Sequence, residues 1–357
     1  MKNTTKTILI AAVLSLNFEL QTSNCSAQDI HFSQFTMTPL LLDPSQAGKF
    51  GGDDRAILNY RDQWRSVVSP YKTYGFSYDM GFNRQHQRDN FFGLGVSAYS
   101  DKAGDINLGS TILNVSLAYH IRLNKDNYLS AGAKGGFMQR SVDDSQFRFD
   151  NQFDGSGHNE TYASGELIAN NSFFAPDFSA GLSYSYGTIT NNVISNNGFD
   201  NTKINVGLAV HNVSNPNYSF LDKGNENLYF RYVFHANTSF GVRGSNMALQ
   251  PSGFIAFQQN ATDIVIGTFF RYNLKEKSKF TKFSNGAAFS VGAHYRVLDA
   301  FIPSILIETG AFAFGLSYDL NISGLTPVSN GNGGFEVSVR YVSPNPFGRK
   351  RSAARFF

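Results

Sequence analysis

The chain has 357 residues, with 30 Lys and Arg against 27 Asp and Glu; the resulting net charge of +3 is too small a basic excess to argue for a nucleic-acid partner. Its 34 Phe, 17 Tyr and 33 Gly accompany only 16% charged residues, yet the mean hydropathy is −0.24, so the chain is aromatic without being uniformly apolar. No apolar run after the N-terminus reaches the roughly 18 residues that a spanning helix needs, which excludes a helical membrane protein.

In chain order, Lys2 and Lys6 precede an apolar stretch from Ile8 to Leu16, and Cys25-Ser26-Ala27 supplies a small-residue cleavage site before Gln28. Residues 1–27 therefore read as an export signal. Cys25 is the sole cysteine and leaves with the signal, so the mature chain has no thiol for disulfide, metal or nucleophilic chemistry. The rival reading makes Cys25 a lipidated first residue, but Thr22-Ser23-Asn24 lacks the Leu and small residue of such an approach.

Residues 28–53 form a pre-barrel segment with no clean period. Phe32, Phe35, Met37, Leu40, Leu41 and Leu42 sit around Pro39 and Pro44 and need a surface to bury against. The expectation is that Phe32, Phe35, Leu40 and Leu41 dock the segment at the periplasmic mouth of a barrel or on a periplasmic component.

From residue 54 to 343 a two-residue beat takes over, the pattern of strands with lipid on one side and polar filling on the other. Soluble sandwiches alternate too, but their strands are usually about 5–6 residues, whereas many of these are longer and carry Tyr and Phe near their ends. The prediction is an all-β transmembrane antiparallel barrel of about 14 strands, an even number as bacterial barrels require. The spans are 54–61, 72–82, 90–100, 107–122, 127–140, 176–187, 202–211, 229–242, 246–259, 263–273, 286–297, 301–308, 311–321 and 334–343. With both barrel termini periplasmic, the three longest gaps (141–175, 212–228, 322–333) face outward, as long loops do in such barrels, while 188–201 and 274–285 are long for inner turns.

Alternation assigns Leu208, Phe314 and Leu316 to lipid, and Asp79, His120, Arg271, Arg296, Asp319, Glu336 and Arg340 to the lumen, among many Gly, Ser and Ala. Such small inward residues leave room for water, a plug or a narrow packed interior. The seven histidines have no metal-ligand spacing, and four of them lie on strands with lumen parity, where a neutral or water-bonded ring is the ordinary role. No Ser–His pair stands out for hydrolysis, and no pattern implies a cofactor. The acidic loop 143–166 contains Asp150-Asn151-Gln152-Phe153-Asp154, which superficially resembles a calcium loop but lacks its terminal Glu and flanking helices. Residues 344–357 form a basic tail on the periplasmic side.

Several motifs together resemble one family. They are Gln28-Asp29-Ile30-His31-Phe32-Ser33-Gln34-Phe35, Pro39-Leu40-Leu41-Leu42-Asp43-Pro44, Tyr60-Arg61-Asp62-Gln63-Trp64, Asn151-Gln152-Phe153-Asp154, Gly207-Leu208-Ala209-Val210-His211-Asn212 and Gly315-Leu316-Ser317-Tyr318-Asp319. Read in that order, they resemble the PorP/SprF family of the Bacteroidota type IX secretion and gliding system over nearly the whole mature chain. The family's last strand more often has His before its Glu, where this chain has Phe335. The resemblance implies a non-enzymatic barrel in the cell outer membrane whose partners are other secretion-machinery components and a secreted type IX cargo protein, such as a large adhesin. Candidate partner-binding residues are Trp64 and Tyr71 at one connection and Phe147, Phe153, Tyr218 and Phe220 on the long loops, because aromatic anchors concentrate interface energy. For Trp64, a place in the lipid-headgroup girdle is an equal reading. The alternative function is a porin or channel for a small nutrient, with an outer-membrane hydrolase third.

Overall fold

The computed structural model describes residues 30–66, 69–82, 90–104, 107–124, 126–143, 149–159, 161–162, 172–187, 202–217, 220, 227–242, 244–275, 286–324 and 326–343. The export signal and the basic tail lie outside them. Fourteen strands close into one barrel in which every strand is antiparallel to both neighbours. They are β1 (Asp54–Gln63), β2 (Tyr71–Phe82), β3 (Phe91–Ala103), β4 (Leu108–Arg122), β5 (Asn127–Ser141), β6 (Ser172–Tyr186) and β7 (Thr202–His211). The second half is β8 (Arg231–Gly241), β9 (Met247–Gln258), β10 (Ala261–Lys275), β11 (Ala287–Arg296), β12 (Ala300–Thr309), β13 (Phe312–Asn321) and β14 (Asn332–Val342). Closure runs from Arg55 opposite Val342 to Gln63 opposite Gly334, so no strand edge is left to template aggregation.

Strand lengths of 10 to 15 residues suit a bilayer crossing by tilted strands. No helix among the described residues is long and apolar enough to cross a membrane. Alternate residues divide as the beat requires: Leu208, Phe314, Leu316 and Phe335 are exposed on the outer wall, while Asp79, His120, Asp319 and Glu336 are buried inside. Each of the fourteen expected spans corresponds to a strand, with ends matching to within four residues. β6 begins four residues earlier than the expected 176 because Pro176 does not break it: it stays in register opposite Phe137. The longest connections, 142–171 and 212–230, lie at the end opposite Asp54 and Val342, which makes that end extracellular.

Inside the barrel runs residues 30–53, built from a 3₁₀ turn (Phe35–Met37), the single-turn helix α1 (Pro39–Leu42) and a second 3₁₀ turn (Pro44–Gln46). Pro39 and Pro44 each open a turn, where their missing N–H groups go unmissed. The Asp43 carboxylate accepts from Ser45 N at 2.7 Å and caps the second turn. The segment is a lumen plug rather than a fixture of the periplasmic mouth. His31 to Gln34 bond to residues near the extracellular ends of β1, β13 and β14, and Ala47 and Gly48 bond to residues near the periplasmic ends of β2 and β4. The segment thus descends from the outer half to β1.

Candidate functional site

The described residues bring chemistry together at the plug. Its outer end is held by an ionic lock: Glu336 accepts from Ser33 N at 2.7 Å and Gln34 N at 2.9 Å. Asp319 accepts from Ser33 Oγ at 2.8 Å, Arg61 Nη2 at 3.0 Å and Arg296 Nη1 at 3.1 Å. Arg61 Nη1 also donates to His31 O at 3.0 Å, and Ser338 Oγ donates to Gln34 Oε1 at 2.6 Å. Buried charges of this kind persist only when paired and hydrogen-bonded. Here wall and plug complete one another.

Lower down, histidines hold the plug backbone. His120 Nε2 lies 2.8 Å from Ala47 O and its Nδ1 2.8 Å from Ser130 Oγ; because a carbonyl only accepts, Nε2 carries a proton and donates it to Ala47 O. His211 repeats the arrangement with Leu42 O and Ser179 Oγ, each at 3.1 Å. His235 Nε2 lies 2.8 Å from Asp43 Oδ2, and Ser45 Oγ lies 2.7 Å from Ser183 Oγ. At the inner end, Gly48 N donates to Asp79 at 2.8 Å, and Asp79 is held by a fork of Arg55 Nε at 2.9 Å and Nη2 at 2.8 Å. Lys49 reaches Ser183 Oγ at 2.9 Å; burial pushes its ammonium down to about 7, against the pull of Asp43.

The small inward residues are sockets. A Cβ at Gly93 would stand 1.9 Å from Ala47 O, at Gly132 2.5 Å from Pro44 C, and at Gly181 2.0 Å from Asp43 Oδ1. Glycine is required there because the plug backbone touches the wall at Gly93 and Gly132 and the Asp43 carboxylate touches it at Gly181. Across the lumen, Phe35 packs edge-on against Phe254 at 5.1 Å and His294 at 5.5 Å, within an apolar cluster that includes Leu42, Val233 and Val265. Two voids beside the plug measure about 10 and 20 Å³, room for about one water each. The periplasmic half keeps a larger vestibule of about 440 Å³ between the plug and residues of β6 to β10, β12, β14 and β1. A largely apolar depression of about 720 Å³ lies beside Leu208, Gly253 and Ile266 of the outer wall, and Ser183, His235 and Phe254 also line it.

Of the expected docking residues, Phe32, Phe35 and Leu40 are fully buried in the lumen and Leu41 is half-buried. Phe32 faces Tyr99, and Leu40 sits with Ala47 and Ala118. The aromatic rim residues do not converge. Trp64 is half-buried at the extracellular end of β1, its ring edge-on to Tyr71 at 5.0 Å, and its backbone N–H donates to Gly333 O at 2.8 Å. Phe153 is 61% exposed, and Phe220 packs on Phe173 of β6 at 5.0 Å. Phe147 and Tyr218 lie outside the described residues. The Asp154 carboxylate turns back on its own loop, accepting from Ser156 N and Gly157 N at 2.9 Å each; these bonds hold its pKa below the usual carboxylate range. Among the described residues no group of His, Cys, Asp and Glu is placed to hold a metal. Gln34 and Asp43 are marked in the sequence only within the family motifs, and Ser45 has no signal there beyond polarity beside an apolar stretch.

The family model described as type IX secretion system membrane protein PorP/SprF matches residues 24–341. The chain belongs to that family. No curated protein matches it. Among solved structures it is similar to the CymD monoaromatic hydrocarbon channel, at 11% identity and a TM-score of 0.44 over 86% of this chain and 92% of that one. It is also similar to the Ralstonia pickettii toluene transporter TbuX, at 12% identity and a TM-score of 0.45 over 85% and 91% of the two chains. The translocator domain of the autotransporter NalP from Neisseria meningitidis follows at 10% and 0.36, over 86% and 94%. As a PorP/SprF member with a lipid-faced closed barrel, the protein is an outer-membrane component of type IX secretion. Its family and fold belong to secretion-associated barrels and not to an enzyme class.

Proposed function

We propose that the protein is a non-enzymatic barrel that supports type IX secretion or surface attachment of a partner secreted protein such as a large adhesin, docking it on the extracellular loops and rim. The plug carries this reading: its buried Phe32, Phe35, Met37 and Leu40 are worth roughly 1.5–3 kcal/mol each, and it takes the place a permeant solute would need. Exposed Phe153 and the Trp64–Tyr71 pair offer the aromatic surface that docking uses. Other secretion-machinery components would meet the periplasmic end.

Affinity purification from native outer membranes, after mild crosslinking, tests this. A large secreted type IX protein should accompany the wild type and be reduced when Trp64, Tyr71 and Phe153 are changed together to Ala, with barrel levels unchanged. Recovery of the barrel alone, or equal recovery from both, would refute loop docking. The second reading, a small-nutrient channel, is favoured by the periplasmic vestibule but requires the plug to move.

A further inference from the structure

We propose that the periplasmic vestibule is a binding site for an organic carboxylate with an apolar body, either the C-terminal end of a peptide or a free small acid. The inference stands independently of cargo docking. The cavity of about 440 Å³ falls within the size of small-ligand sites. Five basic residues line it (Lys49, Arg55, Lys203, Arg271 and Arg340) against Glu308 as the one acidic lining residue. Arg55 is taken up by Asp79.

Glu308 is divided between two guanidinium groups: Oε2 accepts from Arg271 Nε at 2.7 Å and Oε1 from Arg340 Nη2 at 3.0 Å. Arg271 Nη2 has no hydrogen-bond partner among the described residues and is closed off on a side chain only 4% exposed, so a ligand would meet it as that side chain turns into the vestibule. Ser239 Oγ, also on the lining, is in the same position. Leaving a buried cationic donor unpaired is costly, and a planar carboxylate is the acceptor that a guanidinium fork fits. Phe50, Phe269 and Leu306 supply an apolar wall beside these cations. Lys49, held down to about 7 by burial, would be drawn towards its charged form by an incoming anion. The charged wall residues of the lining lie towards the strand ends nearest Asp54 and Val342, so the ligand would arrive from the periplasm.

Titration calorimetry on the full-length protein in detergent tests the site with four probes: the dipeptide acetyl-Leu-Phe, its C-terminal amide, 3-phenylpropionate and inorganic phosphate. The free dipeptide acid or phenylpropionate should bind at least tenfold more tightly than the amide and phosphate; whichever acid is tighter separates a peptide end from a small acid. Arg271→Gln and, as a second variant on another strand, Lys203→Gln should each weaken binding tenfold or more, with heat-modifiable gel mobility retained. Equal binding of acid and amide, phosphate binding as tightly as the acids, no heat from any probe at millimolar concentration, or unchanged affinity in the assembled variants would overturn it.

Discussion

The two sides of the lumen treat the same plug differently. On the side of β3 to β7, inward glycines let the plug backbone touch the wall, and histidines and serines bond its carbonyls and hydroxyls. On the side of β8 to β12, Phe35 reaches across to Phe254 and His294, and below it the wall carries Arg271 and Gln250 beside open volume. Both sides have the same two-residue alternation. What differs is side-chain size: missing side chains make a socket, and long cationic ones keep the space wet.

The largest expected effect comes from filling two sockets at once. Gly93→Leu with Gly132→Leu should cost roughly 1–3 kcal/mol each by overpacking and displace the plug, read as a lowered midpoint for loss of the folded gel band. Asn237→Leu, on the open wall, should shift it by no more than about 0.5 kcal/mol; equal effects would erase the contrast. On the outer wall Leu316→Arg should cost roughly 2–4 kcal/mol and reduce assembly, and full tolerance would invert the facing. Loosening the ionic lock by Glu336→Gln should cost about 1 kcal/mol and make Ser33→Cys more reactive to an added thiol reagent. Unchanged reactivity would mean that the lock does not hold the plug. Arg65→Ala removes a solvent-exposed guanidinium from Asp62, which Tyr60 still bonds, and should shift the midpoint least.

The wall was legible in the sequence because each strand repeats its own evidence. Thr202 to His211 alternates without a break and is β7 to the residue, whereas Pro176, a punctuator elsewhere, sits inside β6 and misplaced its start. The plug was legible only as an apolar stretch needing cover. Its partners are far away in sequence: Asp43 meets His235, and Ser33 meets Asp319 and Glu336. No period encodes such pairings. The inward glycines fitted a water-filled bore, a plug or a packed interior equally well, since an absent side chain does not announce what occupies its place.

The central claim is that the chain closes its own lumen, and single-channel conductance in planar bilayers tests it most directly. The wild type should show no steady open current, and a variant lacking residues 30–45 that still inserts as a heat-modifiable barrel should open in large, stable steps. Steady conductance by the wild type, or a closed barrel after that deletion, would contradict the account.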